Sequence, residues 1–291
     1  MSHDTSHTAG TLASSETNLL PLIVEPEQLV THLEHPDIVL IDVPLKVESH
    51  TQHIPGARLL DFKQLVGSND DDIPGVPSPE SLSAVISALG ITRDSHVVAY
   101  DDEGGGWAGR LLWTLALLGH ARISYLNGGL HAWQGDGLPL TDTITQWQPS
   151  EYRAAFVDTS VMATREDILD RLTADAPEEG VVVWDARSIE EYRGEKGQNA
   201  HLGHIPGAVH FEWTDAMDRE RNLRIRDYAE LITELGARGI NPEQHIVTHC
   251  QSHHRSGLTW LVGRALGFSD IRAYPGSWKE WGNREDTPIE R

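Results

Sequence analysis

The chain has 291 residues, 39% of them hydrophobic, enough to build a core in each of two domains of ordinary size. Its 44 Asp and Glu against 23 Lys and Arg give a formal charge of −21, which opposes binding to phosphate backbones and to anionic membrane surfaces. Neither nucleic acid nor a membrane is expected as a partner, and the most apolar stretch, Leu111 to Leu118, is too short to span a bilayer.

Residues 1–18 are polar and rich in Ser, Thr and His, with neither a basic start nor a continuous apolar run, and are expected to form a flexible tail rather than a secretory signal. A first unit is expected over residues 19–141. In it the buried-strand run Ile38–Val43 is followed by the turn His53-Ile54-Pro55-Gly56-Ala57, and Ser78-Pro79-Glu80 starts a helix carrying Leu82, Val85, Ile86 and Leu89 at helical spacing. A second strand run, Val97–Asp101, and the turn Asn127-Gly128-Gly129 with Trp133 complete it. Residues 142–158, with Pro149 and few aliphatic residues, read as a linker. Residues 159–291 then repeat the order: a capping box of Thr164 and Asp167 before Ile168, Leu169 and Leu172, the strand run Val181–Ala186, the turn His204-Ile205-Pro206-Gly207-Ala208, the run Ile246–Cys250, and Pro275-Gly276-Ser277 with Trp281. Short Val/Ile runs alternating with helical patterns predict an α/β class, each unit a parallel sheet flanked by crossover helices. His53 and His204 belong to turns and are expected to bond to backbone rather than to take part in chemistry.

The single cysteine lies in His249-Cys250-Gln251-Ser252-His253-His254-Arg255-Ser256-Gly257, between a short apolar run and a helical stretch from Leu258 to Leu266. That context predicts a tight strand-to-helix turn whose free N–H groups form a concave site of positive potential. With Arg255 nearby, the thiol is expected to titrate below its free value of about 8.5, which makes Cys250 a nucleophile. The plain alternative, a cysteine packed as a small hydrophobe, sits poorly with Gln, Ser, two His and Arg as neighbours. In the first unit Asp101 takes the matching position, in Asp101-Asp102-Glu103-Gly104-Gly105-Gly106. Three acids and no thiol predict a loop that repels anions, hence one inactive and one active unit; the glycines lack the Lys-Ser/Thr of a nucleotide loop. One free thiol favours a reducing compartment, so the cytoplasm is expected.

The two His-Ile-Pro-Gly-Ala turns, Asp185-Ala186-Arg187 and the strand-loop-helix around Cys250 resemble the rhodanese family of sulfurtransferases, over nearly the whole chain from about residue 19. Cys250-Gln251-Ser252-His253-His254-Arg255 is similar to the Cys-Gln-Thr-His-His-Arg loop of bacterial tandem-domain rhodaneses. The resemblance implies two tandem rhodanese-like domains, no cofactor, and a Cys250 persulfide that takes sulfur from a small anionic donor such as thiosulfate. The sulfur would pass to a thiophilic acceptor such as cyanide, or to a protein. It also implies that Gln251, Ser252, His253 and His254 form the substrate-binding loop and that Arg255 orients the donor. Tandem enzymes of this family often carry an arginine before the tyrosine that follows the Asp-x-Arg segment; here Glu191 precedes Tyr192, and Arg193 is the substitute expected.

Asp185 and Arg187 are expected to tie the strand end beneath the loop, and Trp213 and Trp278 to wall the pocket. His253 and His254 are expected to line its mouth and to gain charge below about pH 6.5. A metal is not expected, because adjacent histidines on a tight turn cannot easily both join Cys250 on one ion, and a fourth ligand is not evident. Two other functions compete. His249-Cys250 with Arg255-Ser256 looks like the His-Cys-(five residues)-Arg-Ser/Thr signature of cysteine phosphatases, yet only four residues separate Cys250 from Arg255, a smaller bowl suited to sulfur. A docking module that hands sulfur only to a protein partner is the other. The choice between thiosulfate and mercaptopyruvate stays open, since the loop has neither internal basic residues nor Cys-Gly-Ser/Thr-Gly.

Overall fold

A computed structural model describes residues 18–47, 50–173 and 181–291. In the first half, β1 (Ile23–Val24), β2 (Ile38–Asp42), β3 (Arg58–Leu59), β4 (His96–Tyr100) and β5 (Ile123–Leu126) form one sheet in the order β1-β5-β4-β2-β3, with every pair parallel. In the second half, β6 (Val181–Asp185) and β7 (Val209–His210) are followed by a small antiparallel ribbon, β8 (Met217–Asp218) with β9 (Arg224–Ile225), and then by β10 (His245–His249) and β11 (Asp270–Ala273). The main sheet there runs β11-β10-β6-β7 and is again parallel throughout. The α/β class expected from alternating Val/Ile runs is the class observed. All five residues of β2 and of β4 are buried, as a parallel sheet covered on both faces requires.

The helices are α1 (Pro26–Leu29), α2 (Pro79–Ala88), α3 (Gly106–Leu117) and α4 (Gly129–Gly135) in the first half. The second half has α5 (Arg165–Thr173), α6 (Ile189–Tyr192), α7 (Tyr228–Arg238), α8 (Arg255–Ala265) and α9 (Ser277–Trp281). Their starts follow local chemistry. Ser78 caps α2 by accepting from the N–H of Ser81, with Pro79 in the first turn, and Thr164 and Asp167 bond reciprocally at the start of α5. His53 and His204 both bond to backbone carbonyls, of Thr143 and Tyr192. Residues 142–158 contain no helix or strand but are pinned to α2, where Ser83 and Ser87 accept from the N–H groups of Ala154 and Tyr152.

The halves meet where α3 crosses α8. A methyl group on Gly257 would come 2.5 Å from the Arg110 nitrogen, so the two backbones touch where only glycine fits. One apolar cluster runs through this crossing, from Val97 and Ala99 through Leu112 and Trp113 to Leu258 and Leu261 and on to Ile246. The crossing lies one turn beyond the loops that follow β4 and β10, so it also sets those loops against each other. Among the described residues no helix is long and apolar enough to cross a membrane.

Candidate active site

Cys250 follows β10 directly and α8 begins five residues later, at Arg255. Between them the chain doubles back over the sulfur. His253 adopts a left-handed conformation (φ 51°), and the next N–H, of His254, points at Cys250 Sγ from 3.3 Å. The Ser256 hydroxyl lies 3.5 Å from the same sulfur. Beneath the loop, Ser277 Oγ accepts from the N–H groups of Cys250 (3.4 Å) and His253 (3.0 Å) and donates to the Tyr274 carbonyl. The start of α9 adds two clamps, since the N–H groups of Trp278 and Lys279 donate to the carbonyls of Cys250 and Gln251. Burial would push the fully enclosed thiol up. The Arg255 charge, the Ser256 hydroxyl and the N–H groups of Ser256 and Ser252 outweigh it and hold the thiol below its ordinary value.

The first half contains the same loop with its anion built in. Asp101 follows β4 as Cys250 follows β10, and its Oδ1 accepts from the N–H groups of Glu103, Gly104 and Gly105, at 3.2, 3.1 and 2.7 Å. Its Oδ2 accepts from Ala108 at 3.0 Å. The nest is therefore filled by a carboxylate of the chain itself, whereas in the second half the converging donors meet a sulfur.

Arg255 is not free. Its guanidinium forms a two-pronged pair with Glu191, at 2.5 and 3.0 Å, and the capping box of Ser188 and Glu191 fixes that carboxylate at the head of α6. Gln251 donates to Asn199 Oδ1 at 2.9 Å, while Ser252 is half-buried and Arg193 is exposed at the end of α6. A cleft lined by Glu191, Lys196, Gly197, Gln198 and Gln251 opens on this side of the loop.

The two histidines face the other way, into the first half. His253 is fully buried, its Nδ1 2.8 Å from Ser256 Oγ and its ring edge-on to Trp113 at 4.3 Å. His254 stacks on Trp107 at 3.8 Å, and its Nε2 meets the Glu103 carboxyl. The expectation that His253 lines the pocket mouth is corrected here, because it is buried, and so is the expectation that the two rings charge below pH 6.5. Burial holds both imidazoles neutral, with the Arg110 charge adding to it at each. Burial and then the Asp102 charge likewise push Glu103 up, to about 7.

Asp185 and Arg187 are both buried at the end of β6 and pair at 2.6 Å, and Arg187 also donates to the Gly203 carbonyl. Burial pushes the Asp185 carboxyl up, but His249 and Arg187 prevail and hold it at about 2. Trp213 stands half-buried beside the His254 ring at 5.6 Å, in a position to wall the loop. Trp278 lies under it instead, buried, with the Arg187 guanidinium 4.3 Å above its ring. Among the described residues no cluster of three or more His, Cys, Asp and Glu is arranged to hold a metal.

Sequence reasoning passed over Ser277, Asn199, Glu103 and Arg110. Only Ser277 left a signal: it matches Gly129, which opens α4 at φ 55°, and keeps nearly the same backbone at φ 52°. A serine standing where the repeat has a left-handed glycine marks a side chain retained at a conformational cost.

The rhodanese-like domain family matches residues 25–136 and 165–284. The thiosulfate sulfurtransferase of Azotobacter vinelandii is 46% identical over 273 residues, 93% of this chain and 97% of that protein. The thiosulfate sulfurtransferase of Pseudomonas aeruginosa is 43% identical over 272 residues, again 93% and 97%. Among solved structures, the crystal structure of the 3-mercaptopyruvate sulfotransferase SseA from Escherichia coli superposes with a TM-score of 0.74 at 26% identity, covering 88% of this chain and 98% of that one.

Proposed function

The chain belongs to the rhodanese family and is a sulfurtransferase, and on that footing we propose that Cys250 is its sulfur carrier, with thiosulfate as donor. The observation that supports this most directly is the convergence on one sulfur of the His254 N–H, the Ser256 hydroxyl and the Arg255 charge. In the first step the Cys250 thiolate attacks the outer sulfur of thiosulfate. The sulfur–sulfur bond of the donor breaks, sulfite leaves with the electron pair, and Cys250 becomes a persulfide anion. In the second step cyanide or another thiophile attacks the terminal sulfur, thiocyanate leaves when cyanide is the acceptor, and the thiolate returns. The negative charge moves by only one sulfur–sulfur bond, from Sγ to the terminal sulfur and back, so N–H donors gathered at the loop serve both halves of the cycle. Gln251 and Ser252 form the near wall for the donor, and Arg255 is the cation that draws it in. The lone, unpaired cysteine suits a reducing compartment, and we place the reaction in the cytoplasm.

The test is thiocyanate formation from thiosulfate and cyanide, run beside mercaptopyruvate as donor and beside hydrolysis of an aryl phosphate. Intact mass after thiosulfate should show one added sulfur atom, absent from Cys250→Ala. Phosphate release without thiocyanate would identify a phosphatase. Sulfur loading that no small thiophile discharges would identify a carrier for a protein acceptor.

A further inference from the structure

Arg110 lies on α3, in the half that carries no thiol, yet its guanidinium ends at the active loop. It is completely buried and donates to the carbonyls of His253 (3.3 Å), Leu65 (2.9 Å) and Gly75 (2.5 Å). All three partners are neutral, its Nε has no hydrogen-bond partner, and the group its guanidinium faces is the Trp113 ring, 5.3 Å away, rather than a carboxylate. A buried cation without an anion is costly, and a fold retains one where an anion is held nearby. The acid whose charge acts on Arg110 is Cys250, and the two are joined through the loop, since the guanidinium donates to the carbonyl of His253, three residues after Cys250. The bond to His253 also falls at the residue whose left-handed turn aims the following N–H at Sγ.

We propose that Arg110 is a positioning residue of the Cys250 site, contributed by the other half of the chain. It clamps the His253 carbonyl so that the His254 N–H stays on the sulfur, and it gives the sulfur anion a second cation, this one fully buried, behind the partly exposed Arg255. The half without a thiol is then a working part of the site rather than only a support. This rests on Cys250 as the sulfur carrier. The titratable and charged groups packed about the loop are Arg255, His253 and His254 from the loop and its helix, His249 and Asp185 from β10 and β6, and Arg110, Asp101 and Glu103 from the first half.

Iodoacetamide alkylation of Cys250 across pH reads thiol acidity whether or not sulfur is transferred, so it separates this inference from the proposed function. In Arg110→Gln, which keeps donors for the carbonyls and removes the charge, the alkylation midpoint should rise by about one pH unit, roughly a tenfold loss of rate below it. Arg110→Lys should restore the midpoint. A folded Arg110→Gln protein with the wild-type profile overturns the proposal, even if thiocyanate is still formed. Should Arg110→Gln not fold, the wild-type protein decides. Two arginine Nε–H signals should follow the Cys250 titration by heteronuclear NMR and neither should do so in Cys250→Ala. One of them should vanish in Arg255→Lys, leaving Arg110. If only the Arg255 signal follows the titration, the proposal falls.

Discussion

The Arg255 guanidinium gives two N–H donors to the Glu191 carboxylate, at 2.5 and 3.0 Å, so the cation closest in sequence to Cys250 is already partnered. The pair is only partly exposed, 17% at Arg255 and 15% at Glu191, and screening by solvent is incomplete. A dianionic donor approaching the loop therefore meets a carboxylate as well as the arginine.

In Glu191→Gln the capping of Ser188 is kept while the charge is lost, and the guanidinium is released towards the cleft. The KM for thiosulfate should fall by roughly three- to tenfold, about 1 kcal/mol, with kcat little changed. Initial-rate kinetics of thiocyanate formation check this. A KM that stays the same or rises would mean that Arg255 serves the thiolate alone and does not orient the donor.

A second prediction concerns acid stability. The buried Asp185 carboxyl is held at about 2, below its ordinary 3.8, by His249 and Arg187. Because the folded value is the depressed one, the stabilisation is complete above about pH 4 and disappears as pH falls towards 2. It amounts to about 2 kcal/mol near neutrality. Asp185→Asn should lose at least that much in urea unfolding near pH 7, since Arg187 is left buried without its partner, and the gap to wild type should narrow near pH 2 to 3. An equal deficit at both pH values would show that the carboxylate charge is not what matters.

The architecture was legible because the repeat is written twice. Ile38–Asp42 matches Val181–Asp185, and His53-Ile54-Pro55-Gly56-Ala57 matches His204-Ile205-Pro206-Gly207-Ala208, so short continuous apolar runs and turn chemistry point to the same unit in both halves. The Cys250 loop was legible for a similar reason, as a polar insertion between a strand and a helix. What sequence could not show is which way its side chains face. His253 and His254 are adjacent to the nucleophile, and in the loop alone they read as pocket residues; the packing of α3 on α8 turns them towards Trp113 and Trp107 instead. Arg110 and Glu103 lie some 150 residues before the loop, and only the crossing of the two helices brings them to it.

That crossing supplies the third prediction. At Gly109 an added methyl group would overlap the Gly257 main chain, and neither backbone can move without shifting a helix. Gly109→Ala should destabilise the protein by about 1 to 3 kcal/mol, a fall of several degrees in Tm for a chain of this size. Gly236→Ala is the internal comparison. It lies within α7, and its methyl group would meet only the Asn241 side-chain oxygen, at 3.2 Å. There the gain in helix propensity should leave stability unchanged or up to about 1 kcal/mol higher. Thermal unfolding of both variants separates a helix effect from an interface effect, because a loss shared by the two would trace to helix backbone. A loss confined to Gly109→Ala, together with a higher alkylation midpoint at Cys250, would show that the close approach of α3 and α8 keeps the halves joined and also holds Arg110 on the loop.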